Sequence, residues 1–247
     1  MKCYDCPRMC GAERSKSKGF CGEGDKIRVA KVIENFMWEE PCISGEKGAL
    51  AIFFSGCNLR CEFCQNYKIS HIGGGKLYTA DEFRKFLQGF DLSKFSSIDF
   101  ITPSHFSSLL LEALQDFQSP IPLVWNSSGY ENVDMINKLA KVVDVFLPDL
   151  KYFSDQLSGK LSKCKDYFLV ASKAIIAMRE NKKENILSTV EITANKKGEL
   201  AYQIGNEFDK TANTKYVFDM KRIMGKSILS SWIRILTSSS SSIISNG

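Results

Sequence analysis

A mixed α/β fold with a parallel sheet is predicted by three features. Short, wholly apolar runs have the length of strands, amphipathic segments between them have the length of helices, and the two alternate from residue 49 to residue 147. Ala49-Leu-Ala-Ile-Phe-Phe54 is the first run, continuous in apolar residues as a strand buried on both faces must be. Thr79 can then cap a helix, with Glu82 three residues on completing the reciprocal bond. Phe83, Phe86, Leu87 and Phe90 give that helix one apolar face. The unit repeats: strand 98–101 and helix 106–117, strand 121–125 and helix 133–142, then strand 143–147 ended by Pro148. In parallel βαβ units the loops after the strands gather at one face and build the site.

The flanks read differently. Residues 1–24 are rich in Cys, Gly and Lys with little apolar periodicity, so something other than a core must order them. Residues 26–38 alternate in part and read as a strand or hairpin arm, and 39–45 as a turn-rich link. With 247 residues the chain can bury one core, or a core and a small appendage. The net charge of +5 is small and spread out, which argues against nucleic acid as a partner. No apolar run reaches membrane-span length and the first residues lack the apolar core of a signal peptide, so no membrane association is expected. Nine cysteines in such a chain favour metal ligation in a reducing compartment, and a cytoplasmic location is expected.

Cys57, Cys61 and Cys64 follow the first buried strand with the spacing C-x3-C-x2-C. Three thiolates are one short of a closed four-cysteine site. A [4Fe-4S] cluster held here keeps one iron without a protein ligand, open to a substrate or cosubstrate. A second group, Cys3, Cys6, Cys10 and Cys21, suits one tetrahedral metal or a second cluster, and its spacing leaves zinc and iron–sulfur both open. Gly73-Gly-Gly75 lacks the Lys-Ser/Thr of a phosphate loop, and nothing pairs a thiol with either histidine for nucleophilic catalysis.

The cysteine loop, with Phe63 before its last cysteine, closely resembles that of the radical S-adenosylmethionine (SAM) superfamily. Further motifs make the chain look most like the activating-enzyme group, proteins similar to pyruvate formate-lyase activating enzyme with a cysteine-rich N-terminus. They are Glu39-Glu-Pro-Cys-Ile-Ser-Gly45, Phe53-Phe-Ser-Gly-Cys-Asn-Leu59, Cys64-Gln-Asn66, Phe100-Ile-Thr-Pro-Ser-His105, Val124-Trp-Asn-Ser-Ser-Gly-Tyr130 and Leu147-Pro-Asp-Leu-Lys-Tyr152. The resemblance implies a partial (β/α)6 TIM-like barrel. It also implies a [4Fe-4S] cluster on Cys57, Cys61 and Cys64 with SAM on the open iron, cleaved reductively to a 5′-deoxyadenosyl radical. Thr102, Ser104 and His105 lie where the group carries a Gly-Gly-Glu segment that binds the SAM amine, although the sequence here differs. Asn126 and Ser128 match a segment of the SAM pocket or a neighbouring cation site. Asp149 and Lys151 match the pair in which the lysine approaches the SAM carboxylate. No catalytic side chain beyond the cluster ligands is implied. A low-potential electron donor of flavodoxin or ferredoxin type is implied as partner, and for a true activase a glycyl radical enzyme.

The resemblance stops near Arg179. The later strands of the family, including a Leu-Pro-Gly segment that helps bind SAM, have no counterpart, and a serine-rich stretch follows residue 237. A change of reading frame would give that pattern, and residues 186–192 are the best candidate for a replacement strand. The expected organisation is a cysteine-rich extension over 1–47, a radical SAM core over 48–180 and a divergent tail over 181–247. The rival expectation is a degenerate, non-catalytic iron–sulfur or zinc-binding protein.

Overall fold

The computed structural model describes residues 2–39 and 41–182. One sheet of six strands organises them: β1 (Ile27–Phe36), β2 (Ala49–Phe54), β3 (Lys76–Tyr78), β4 (Ser97–Ile101), β5 (Leu123–Ser127) and β6 (Val145–Pro148), in the order β3-β1-β2-β4-β5-β6. β2, β4, β5 and β6 are parallel, as the alternation predicts. β1 runs antiparallel to both β2 and β3, so the arm over 26–38 extends the same sheet. The fold is α/β with an open sheet among the described residues, β3 and β6 being its edges, and no barrel closes. The strand expected at 186–192 and the tail lie outside the described residues.

Among the described residues six α-helices connect and cover the strands: α1 (Pro41–Ser44), α2 (Ala80–Gln88), α3 (Ser107–Leu114), α4 (Val133–Leu139), α5 (Asp155–Ser162) and α6 (Tyr167–Asn181). α2 begins as predicted. The Glu82 amide donates to Thr79 Oγ1 at 3.2 Å and the Thr79 amide donates to Glu82 Oε2 at 2.8 Å. The helix predicted from 106 starts as a 3-10 turn at Ser104–Phe106, and α3 ends at Leu114. β5 runs two residues past Trp125, because Asn126 pairs with both neighbouring strands and Ser127 with Pro148.

β2 shows how the core is built. Strand side chains alternate between faces. Leu50, Ile52 and Phe54 therefore join the large cluster under α2, α3, α4 and α6, while Ala51 and Phe53 face a smaller cluster with Ile101, Ile33 and Phe36. Phe54 meets Phe83, Phe100 and Phe106 with ring centroids 5.8, 6.2 and 6.0 Å away. Both faces of β2 are covered, so its apolar run has nothing polar to alternate with, and its end is held firmly where the cysteine loop departs.

Phe54→Ala should cost about 3–5 kcal/mol, the usual range for emptying a packed aromatic site. Urea unfolding of the purified chain measures this, and a loss under about 1 kcal/mol would show that Phe54 is not packed as described.

Candidate metal and cofactor site

The parallel strands all point to the same end of the sheet, where Asn126 closes β5 with Ser127 and where Cys57, Cys61, Cys64, Thr102, Ser104, His105, Ser128, Asp149 and Lys151 follow the strands. β2 runs into Ser55-Gly56 and then Cys57, Cys61 and Cys64. Gly56 has φ +78°, the left-handed region that favours glycine, and a Cβ on it would stand 2.6 Å from the Cys21 carbonyl oxygen and 2.7 Å from Glu23 Cγ. The Cys57 amide donates to that same Cys21 carbonyl at 3.4 Å. The N-terminal head is thus pressed directly against the start of the cysteine loop. Arg8 adds to the contact by donating to the Asn58 carbonyl at 2.7 Å while its guanidinium lies 4.0 Å above the Phe20 ring.

The loop is shaped for thiolate sulfur. The Leu59 amide donates to Cys57 Sγ at 3.3 Å, and the Ser162 hydroxyl, at the end of α5, donates to Cys61 Sγ at 2.9 Å. Burial pushes the Cys57 thiol up to about 12, neighbouring Cys61 adds to this, and the Leu59 amide and the Lys151 charge oppose it. A bare Cys57 thiolate is therefore disfavoured, and a cation that replaces its proton removes the penalty. Among the described residues no three His, Cys, Asp or Glu side chains are placed to hold a single metal ion. In a four-iron cluster each thiolate binds a different iron, so its ligands stand further apart than the donors of one ion. An all-thiol loop with N–H and O–H donors on its sulfurs and a lysine nearby fits an anionic iron–sulfur group.

The strand-end residues divide into two kinds. Asp149 and Lys151, after β6, form an ion pair at 2.5 Å, both half-buried. Lys151 is also close enough to act electrostatically on Cys57. Ser128, after β5, has a buried hydroxyl with no hydrogen-bond partner. Asn126 donates to Asp99 Oδ2 at 3.3 Å, and Thr102 holds φ +61° while its amide donates to the Asn126 carbonyl at 2.9 Å. Ser104 and His105 are turned inward. The Ser104 hydroxyl donates to Glu131 Oε1 at 2.6 Å, and His105 Nε2 bonds the Ser55 carbonyl oxygen at 2.7 Å beneath the loop. Burial holds the His105 imidazole down at about 3, so it is neutral at ordinary pH.

Two residues that sequence reasoning did not mark complete the arrangement. Glu131 is buried, also accepts from Trp125 Nε1 at 3.1 Å, and has its carboxyl raised by burial. It bonds the β4 and β5 ends to each other. Tyr167 opens α6, and its hydroxyl reaches the Ser128 carbonyl at 2.6 Å and the Asp149 carbonyl at 3.0 Å while accepting from the Lys151 amide at 2.9 Å. It fixes the backbone on both sides of the Asp149–Lys151 pair. Glu131 directly follows the Asn-Ser-Ser-Gly-Tyr segment, but an acidic residue in a loop reads as exposed. Tyr167 lies in a segment whose helix was not assigned from the sequence.

Comparison with known proteins follows this geometry. Residues 43–165, just under half of the chain, match the 4Fe-4S single cluster domain family, Fer4_12. The chain is 30% identical over 192 residues to Uncharacterized protein MJ0674 of Methanocaldococcus jannaschii, a match that covers 72% of this chain and 54% of the relative. The chain therefore spans about half the length of that relative. It is 28% identical over 106 residues to 7-carboxy-7-deazaguanine synthase of Methanothermobacter thermautotrophicus, covering 42% of this chain and 43% of that protein. It is 28% identical over 166 residues to pyruvate formate-lyase-activating enzyme of Clostridium pasteurianum, covering 58% of this chain and 68% of that protein.

His105 gives a testable pH dependence. Its folded pKa is depressed, so between pH 6.5 and about 3 the unfolded chain binds a proton that the folded chain refuses. Stability is lost as pH falls through this window, at up to about 1.4 kcal/mol per pH unit from this group. Replacing it, His105→Gln, should flatten that part of the stability–pH curve from denaturant midpoints; an unchanged slope would contradict the buried neutral imidazole.

Proposed function

From the radical SAM superfamily membership that these matches support, we propose that the chain is an enzyme that reductively cleaves SAM at a [4Fe-4S] cluster. The observation that carries the reading is the three-cysteine loop at the end of β2, with the charge of Lys151 acting on Cys57. Cys57, Cys61 and Cys64 would hold three irons and leave the fourth to SAM. When bound and reduced, the cluster supplies the electron that breaks the sulfonium bond and releases a 5′-deoxyadenosyl radical.

The side chains around it bind and orient. Lys151 neutralises the SAM carboxylate with a compact ammonium, and Asp149 keeps that ammonium in place through their ion pair. Tyr167 fixes the backbone beneath the pair, so the ammonium does not have to be ordered when SAM arrives. The Ser128 hydroxyl, lacking a protein partner, can bond a polar group of the ligand, and Thr102 and Asn126 line the neighbouring strand ends. Ser104 and His105 act one step back: they brace the loops through Glu131 and the Ser55 carbonyl.

The finer reading is an activase of the pyruvate formate-lyase-activating type. It would abstract hydrogen from a glycine of a glycyl radical enzyme in the cytoplasm, with a flavodoxin- or ferredoxin-type protein as electron donor. The described sheet would then be the first part of a partial (β/α)6 barrel. No helix among the described residues is long and apolar enough to cross a membrane.

The test is anaerobic reconstitution with iron and sulfide, reduction by dithionite, and detection of 5′-deoxyadenosine from SAM. Product should form and vanish in Cys61→Ala. Lys151→Ala should raise the KM for SAM by about tenfold or more, since a hydrogen bond to a charged group contributes about 1.5–3 kcal/mol. No product from an intact, reducible cluster would overturn the reading and leave a non-catalytic iron–sulfur protein.

A further inference from the structure

The head is ordered without a hydrophobic core. Among the described residues up to Glu23 the buried apolar side chains are Cys3, Cys6 and Cys21. The backbone folds back so that the Cys3 amide donates to the Ala12 carbonyl at 2.9 Å and the Gly11 amide to the Cys3 carbonyl at 3.1 Å. This brings Cys3 beside the segment that carries Cys10. The four thiols act on one another in a closed ring: Cys6 with Cys3 and Cys21, Cys10 with Cys3 and Cys21.

The amides repeat one pattern. Each head sulfur has the backbone N–H two residues on directed at it: Asp5 at Cys3, Arg8 at Cys6, Ala12 at Cys10 and Glu23 at Cys21. Cys57 in the cluster loop has the same relation to the Leu59 amide, at 3.3 Å. An N–H aimed at sulfur favours the thiolate, the form that binds metal. Arg14 donates to Cys21 Sγ at 3.6 Å and pairs with Asp5 at 3.6 Å, placing fixed positive charge beside the ring. Gly19 leaves room: a Cβ there would lie 3.3 Å from Cys21 Sγ and 3.4 Å from Cys10 Sγ.

We propose that Cys3, Cys6, Cys10 and Cys21 form a tetrathiolate metal centre, separate from the Cys57 loop, that takes the place of a core in the head. Loading it turns the thiols inward from their present rotamers, since no three of them now stand at the spacing of one ion. The centre holds the Cys21 carbonyl where the Cys57 amide and Gly56 meet it, and so forms the wall of the cluster loop. Four thiolates can take one zinc ion or a four-iron cluster, and the site chemistry is the same in both.

The test uses the full chain with Cys57, Cys61 and Cys64 all replaced by Ala, purified anaerobically and analysed for metal and sulfide. This variant should retain about one zinc or about four irons with sulfide per chain. The zinc result identifies a single-ion centre and the iron result a cluster; both support the site. Adding Cys6→Ser and Cys21→Ser should reduce either metal to background. A triple variant without metal, or metal that survives loss of the head cysteines, would overturn the proposal. Should the variants fail to fold, alkylation of the wild-type chain decides. Cys10 is exposed and a bare thiol there reacts at once, so protection of Cys10 until a chelator is added supports the centre, and prompt modification overturns it.

Discussion

The approach of the Cys21 carbonyl to the Gly56-Cys57 backbone is the contact on which the rest of the site depends. It joins the head to a segment more than thirty residues further on, where the central strand β2 runs into the first thiol of the cluster loop. It is steric before it is energetic, because a side chain at residue 56 would collide with both the Cys21 carbonyl and Glu23. A left-handed glycine lets two backbones meet with nothing between them. The amide of Cys57 then has a partner inside the protein, and its direction from the strand end is set.

Around this contact the polar groups are arranged by exclusion of water. His105 is fully buried, so its imidazole is neutral, and it spends one nitrogen on the Ser55 carbonyl. Glu131 is also buried and accepts from Ser104 and Trp125, residues of two different strand ends. Buried polar groups cost free energy unless bonded, so each satisfied pair fixes the separation of the elements that carry it. The loops after β2, β4 and β5 are held to one another by such pairs, and by an apolar cluster in which Leu59 and Tyr130 pack with Tyr152 and Tyr167.

The far side of the site is governed by α5 and α6. Ser162 at the end of α5 reaches Cys61, and Tyr167 at the start of α6 binds the backbone of both Ser128 and Asp149. These helices follow β6 and come back across the strand ends. A segment distant in sequence from the cysteine motif thereby decides the orientation of one thiol and of the Asp149–Lys151 pair.

Much of this was legible in the chain itself. The apolar run 49–54 marked β2 because a strand covered on both faces has no polar side to show. The capping residues Thr79 and Glu82 marked α2 because their bonds are local. The spacing of Cys57, Cys61 and Cys64 marked an incomplete thiolate set, a matter of ligand count alone. Tertiary structure decided what depends on distant contact: that β1 and β3 lengthen the sheet antiparallel, that it stays open across the described residues, that Ser104 and His105 face inward, and that Glu131 and Tyr167 tie the loops. Local sequence records periodicity, caps and ligand spacing. It carries no record of which buried polar group meets which, because those partners are chosen only when the strands and helices pack.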